Sequence, residues 1–331
     1  MEPEIKTKAQ RKWTIGAPRA LWGTTVFCLL ITGVAVWYQR RPAAAVFTAQ
    51  ESVSRPNRLV FSPEGGAKYL AAAFSDGRIR LWETLTQREV TVKLPSRWPL
   101  NDLAWASDGG SVFTGGFEQH LLAFHIQSLR VGTWPKFAAP IVSVTVSPGK
   151  PELLAALANG ELWWLNLQTE ERALVSSSHQ GIVKVVRYHP QGQWFITAGA
   201  DHQLNWHDAG TRAVSRTVNA HQHEVSCLGF SPDGTRLASG SWDNTVKIWQ
   251  AESGTPVATL PHPEGVAEVG WRGLDVVSSC WDGQLRIWNV STATVFSERA
   301  CRSDSLAFAV CPGRELIAEV DSAGTLHLEA P

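Results

Sequence analysis

The phrase GSWDNTVKIW at residues 240–249 returns 39 residues later as SCWDGQLRIW at residues 279–288. Aligning on the turn inside that phrase gathers five further stretches: SDGRIRLW (75–82), FEQHLLAF (117–124), ANGELWWL (158–165), ADHQLNWH (200–207) and SAGTLHLE (322–329). The turn positions are Asp76, Glu118, Asn159, Asp201, Asp243, Asp282 and Ala323, spaced 42, 41, 42, 42, 39 and 41 residues apart. Seven copies at a period in the low forties constrain the fold strongly. Each copy is one supersecondary unit that buries its apolar faces on its neighbours.

Each unit has the same internal order. An apolar alternating run such as VSCLGF (225–230) is followed by a turn, SPDG (231–234), and a second run, TRLASG. The acidic turn and a third run ending in an aromatic residue come next. A short fourth run such as TPVATL (255–260) closes the unit. Period-two alternation between Gly, Pro, Asp and Asn turns reads as four antiparallel strands. The short interval of 39 arises where WRGLD replaces the longer SPDG-type turn. Four-stranded units at this spacing predict an all-β, seven-bladed β-propeller.

The fifth copy, AHQHEVSCLGFSPDGTRLASGSWDNTVKIW, closely resembles the WD40 repeat family. The resemblance extends over residues 45–330, clearest in copies five and six and faintest in two, three and seven. It implies a structural tetrad: a His before the first strand, a Ser or Thr on the second, an Asp in the following turn and a Trp on the third. Copy five supplies His221, Ser239, Asp243 and Trp249, and copy six His262, Ser278, Asp282 and Trp288. The chemistry is structural, because a buried Asp must be paired and an indole N–H needs an acceptor. Copy four has His179, Thr197 and Asp201, with His207 where the Trp belongs; copy one keeps Asp76 and Trp82 with Ala72 at the Ser position. The seventh copy stops after its third run, so the β-prone run AAVFTAQ (44–50) is expected to supply its fourth strand, as in many propellers of this family.

Residues 20–39 carry no charge and, at 1.5 Å per residue, are long enough to cross a bilayer's hydrocarbon core as a helix. Trp22, Trp37 and Tyr38 lie near its ends, where amphipathic rings favour the interface. A cleaved signal peptide is the rival reading. The length of the run and the immediate Arg40 and Arg41 favour an uncleaved anchor. The organisation is then a basic tail (1–19), a transmembrane helix (20–39), a linker (40–43) and a propeller (44–331). Lys6, Lys8, Arg11, Lys12 and Arg19 precede the span, which places the tail in the cytoplasm and the propeller outside it, periplasmic in a Gram-negative host. A cytosolic propeller is the alternative.

Thirty basic residues balance thirty acidic ones, so no net field points to nucleic acid. No catalytic motif is present, and no catalytic, cofactor-binding or metal-ligating residue is assigned. The His221–His223 pair fits the repeat better than a metal site. Cys227, Cys280, Cys301 and Cys311 allow disulfides or buried thiols. Trp242 and Trp281 each precede a turn Asp at a position that, by the resemblance, faces the top of the disc; Phe117 is their counterpart in copy two. Paired aromatics there are candidate partner anchors. The expected function is a membrane-anchored protein-interaction scaffold, an accessory or assembly subunit of a larger membrane complex, with other proteins as partners and no cofactor. The alternative is a ligand- or metal-binding, enzymatic propeller that uses its central channel.

Overall fold

The computed structural model describes residues 54–329, except 64–66, 95–96, 303–305, 312 and 322. The expected anchor at 20–39 and closing strand at 44–50 lie outside the described residues. Blade 1 comprises β1 (Pro56–Phe61), β2 (Tyr69–Phe74), β3 (Arg78–Glu83) and β4 (Glu89–Lys93). Blade 2 comprises β5 (Leu100–Trp105), β6 (Ser111–Gly116), β7 (Leu122–His125) and β8 (Arg130–Thr133). Blade 3 comprises β9 (Ile141–Val146), β10 (Glu152–Leu157), β11 (Leu162–Asn166) and β12 (Arg172–Val175). Blade 4 comprises β13 (Val183–Tyr188), β14 (Trp194–Gly199), β15 (Gln203–Asp208) and β16 (Val214–Asn219). Blade 5 comprises β17 (Val225–Phe230), β18 (Arg236–Ser241), β19 (Thr245–Gln250) and β20 (Pro256–Pro261). Blade 6 comprises β21 (Val266–Arg272), β22 (Asp275–Cys280), β23 (Gln284–Asn289) and β24 (Thr294–Ala300). Blade 7 has β25 (Phe308–Val310), β26 (Ile317–Val320) and β27 (Leu326–Glu329).

Every sheet is antiparallel, with strands in sequence order. The first strand of each blade contacts the first strand of the next, and β25 returns to β1, which closes a ring of seven. The repeat is visible on a single rung. The last residues of the seven aligned stretches, Trp82, Phe124, Leu165, His207, Trp249, Trp288 and Glu329, pair with Leu70, Val112, Leu153, Phe195, Leu237, Val276 and Ile317. The residue after each turn position has positive φ in all seven copies: Gly77, Gln119, Gly160, His202, Asn244, Gly283 and Gly324. Four are Gly because that region costs an L side chain about 1 kcal/mol or more. WRGLD forms a tight connection, with Gly273 and Leu274 alone between β21 and β22.

Among the described residues, seven apolar clusters hold the blades together, one at each interface. Blade 6 meets blade 7 through the smallest, Val277, Leu285, Ile287, Phe308 and Ile317. An ionic cluster supplements it: Arg299 Nη2 lies 2.5 Å from Glu319 and 2.7 Å from Glu329. Glu319 and Glu329 occupy the rungs that hold Ser239 and Trp249 in blade 5. Among the described residues, three tryptophans pin blades together through their indole N–H groups. Trp105 donates to Val60 O, Trp206 to Ala251 O and Trp271 to Gly229 O, at 2.8–2.9 Å.

A β-bulge recurs near the start of the first strand in six blades. The register skips Asn57, Asn101, Val142, Lys184, Ser226 and Ala267. A bulge frees its residue from the ladder and re-aims the side chain. Here it reaches the next blade: Asn57 Nδ2 donates to Leu100 O, Asn101 Nδ2 to Ile141 O and Ser226 Oγ to Val266 O. Lys184 pairs with Glu224 at 3.1 Å. Four of the six bulges thus act as latches between neighbouring blades.

Candidate functional site

The tetrad of blade 5 is assembled as its chemistry requires. His221 Nδ1 lies 2.8 Å from Asp243 Oδ2 and its Nε2 lies 2.8 Å from Ser239 Oγ. Trp249 Nε1 donates to the same hydroxyl at 2.9 Å. The three contacts are mutually compatible when Nδ1–H donates to the carboxylate and the hydroxyl donates to Nε2. Asp243 also accepts from the Gln222 and Thr245 amides. Burial pushes its carboxyl up, but the bonds from His221, Thr245 and Gln222 outweigh this and hold it well below the carboxylate range.

Blade 6 departs from the expected set. His262 and Trp288 both meet Ser278 Oγ, at 2.8 and 3.0 Å, but His262 Nδ1 faces Leu260 O at 3.0 Å. Asp282 turns instead to Arg286, four residues on, at 2.5 Å. The guanidinium offers a charged partner that the neutral His cannot match. Burial pushes His262 down to about 4. Asp282 therefore lies outside the blade-6 triad.

Blade 4 holds a full tetrad that the sequence pattern obscured. His179 bridges Asp201 and Thr197 at 2.8 Å each, and His207 Nε2 lies 2.9 Å from the Thr197 hydroxyl. His207 is fully buried and stacked on Phe195. Burial pushes it down to about 4, so it stands as a neutral ring in the place of an indole. The legible signal was chemical: His and Trp both offer a ring N–H.

The two aspartates accordingly differ in expected cost. Asp243→Ala should lose about 2 kcal/mol, since it strands His221 and two backbone amides. Asp282→Ala should lose about 1 kcal/mol or less, because Arg286 keeps Glu298 at 2.5 Å. Denaturant titration of both variants checks the order, and an Asp282 variant as damaged as the Asp243 variant would contradict it.

Trp242 and Trp281 stack, with centroids 5.6 Å apart and planes at 25°. Both are partly exposed. They rest on Gly265, where an added Cβ would stand 3.0 Å from the Trp242 ring. Nearby on the same face, His202 and His223 stack at 5.8 Å. Phe117 occupies the equivalent turn of blade 2 and is partly buried, without a described ring contact to the pair.

At the centre, charged side chains cross the ring. Arg58 of blade 1 pairs with Glu268 of blade 6 and, at 3.3 Å, with Asp102 of blade 2. Arg187 of blade 4 reaches Asp102 at 3.0 Å. Ser143 of blade 3 donates to Asp102 at 2.8 Å. Blades 6 and 1, and blades 2 and 4, are not adjacent, so these pairs meet inside the central channel. Burial pushes the Asp102 carboxyl up, but Arg187, Arg58, Ser143 and the Val144 amide hold it below the carboxylate range. The channel set escaped sequence reasoning because Arg187 lies two residues beyond the rung of Arg58, Asp102 and Glu268.

Among the described residues no group of His, Cys, Asp and Glu could hold a metal ion. No described helix is long and apolar enough to cross a membrane. Cys227, Cys280, Cys301 and Cys311 are free thiols.

A family model described as WD domain, G-beta repeat, matches residues 171–208, 212–250 and 254–289. Actin-interacting protein 1 of Drosophila melanogaster is 24% identical over 60% of this chain and 33% of its own length. WD repeat-containing protein 1 of Rattus norvegicus is 28% identical over 63% of this chain and 36% of its own. A guanine nucleotide-binding protein subunit beta of Arabidopsis thaliana is 25% identical over 66% of this chain and 62% of its own. The chain spans about a third of the length of the first curated relatives it matches. The matched repeats and these relatives support a WD40-type propeller.

Proposed function

We propose that this chain is a protein-interaction scaffold, tethered to a membrane through residues 20–39, whose face around Trp242 and Trp281 receives a protein partner. The observation that carries the reading is the indole stack, two large rings held side by side and still partly open to solvent. Each further 100 Å² of apolar surface covered there contributes about 2.5 kcal/mol before ordering costs. The rest of the turn chemistry is occupied: the described turn aspartates Asp76, Asp201, Asp243 and Asp282 are all hydrogen-bonded. One relative is named for interaction with actin and another as a subunit, both names of proteins that work with partners. An accessory or assembly subunit of a membrane complex fits a rigid disc on one anchor.

The double variant Trp242→Ala/Trp281→Ala should stay folded and lose its principal partner in affinity purification from solubilised membranes. A folded variant that retains every wild-type partner would move the interaction to another face. For the tether, we propose a cytoplasmic tail and an extracytoplasmic propeller. Protease outside sealed spheroplasts should then digest the propeller; full protection would place it in the cytosol.

A further inference from the structure

The first strands run from one face of the disc to the other. The turns carrying Trp242 and Trp281 lie on the face where these strands begin. On the opposite face, where the first strands end, a cavity of about 270 Å³ opens between blades 1 to 4. Its walls include Phe61, Trp105, Val146 and Pro148, and Arg58 and Arg187 lie at its inner end.

Arg187 is bonded one-sidedly. All four of its hydrogen bonds leave from Nη1, to Asp102, Ser143, Val144 O and Val186 O. Its Nε and Nη2 carry no bond among the described residues, and the side chain remains 17% exposed. Together they form the edge of a guanidinium that matches a carboxylate bidentately. The Asp102 partnership fixes the fork in place, so little ordering cost is left to a ligand. A cavity of roughly 150 Å³ takes benzene, so this one has room for an aromatic ring with a short acidic tail.

We propose that this lower channel mouth binds a small apolar carboxylate, its ring or chain against Phe61 and Trp105 and its carboxylate on the free edge of Arg187. Asp102 and Glu268 balance the two arginines, so recognition rests on directed N–H donors and apolar burial rather than on net charge. The same chemistry could come from a free acid or from the carboxyl end of a peptide.

Calorimetric titration of the full chain with 3-phenylpropionate and with 3-phenylpropan-1-ol tests the site. The acid should bind at least about tenfold more tightly than the alcohol, the worth of hydrogen bonds to a charged group. Ala104→Leu, which fills the cavity, should abolish binding, and Arg187→Lys, which keeps the charge beside Asp102, should remove the preference for the acid. Unchanged melting of both variants shows that the ring survives. A peptide ending in a free Phe carboxylate, compared with its amide, separates the two sources: tighter binding than the free acid assigns the site to chain ends, weaker binding to small acids. No binding of any carboxylate probe, equal binding of acid and alcohol, or undiminished binding to folded Ala104→Leu would overturn the proposal. The site lies away from the indole stack, so Trp242→Ala/Trp281→Ala should bind phenylpropionate as the wild type does.

Discussion

Asp102→Ala is expected to destabilise the chain by about 3–5 kcal/mol, the usual result of breaking a buried ion pair from one side. Asp102 is 4% exposed and is the junction of the channel: Arg58, Arg187, Ser143 and two backbone amides converge on it. Removing the carboxylate leaves Arg187 facing only neutral acceptors, and Arg58 with Glu268 alone. Since a domain's whole stability is about 5–15 kcal/mol, the variant should lose a large share of it. Ser143→Ala provides the scale, because it deletes a single hydroxyl and should cost about 1 kcal/mol. Denaturant unfolding of the two variants decides the matter. An Asp102 variant no less stable than Ser143→Ala would show that solvent in the channel screens the charges and that the network contributes little.

That junction also marks where sequence reading stops. The blades were legible because their spacing and alternation follow from local backbone chemistry; the turn residue with positive φ recurs even in the copies with the faintest resemblance, as Gln119 and Gly324. The tetrad of blade 5 was legible because its four residues belong to one unit and one pattern. Asp282 was misplaced because a guanidinium four residues away, Arg286, competes for it, while Lys247 at the same rung of blade 5 donates to Ala220 O instead. The channel network joins residues up to 210 positions apart in blades that are not neighbours. Each of its members reads alone as an ordinary strand charge. In blade 7, Glu319 and Glu329 hide the repeat by replacing a hydroxyl and an indole with carboxylates whose partners come from β24 and the loop after it.

Breaking the segment at 44–50 is expected to damage the ring more than removing the whole basic tail. Six blades have four described strands and the seventh has three, with β27 at its outer edge. The contrast shows in burial. In blade 5 the third strand buries Val246, Ile248 and Trp249 beneath its neighbours, whereas Leu326, His327, Leu328 and Glu329 of β27 are all partly exposed. Among the described residues no strand pairs with that edge, an unpaired edge is a template for pairing, and we propose that residues 44–50 fill it beside β27. Four or five ladder hydrogen bonds at about 1 kcal/mol each, with the apolar cover of Val46 and Phe47, would then tie the first blade to the last. In the full chain, Val46→Pro removes a ladder donor and bends the strand, so it should lower the melting temperature by roughly 10 °C and promote aggregation through the opened edge. Deleting residues 1–19 should leave melting unchanged. If Val46→Pro melts with the wild type, residues 44–50 do not close the seventh blade, and the apolar contact between blades 7 and 1 holds that junction without them.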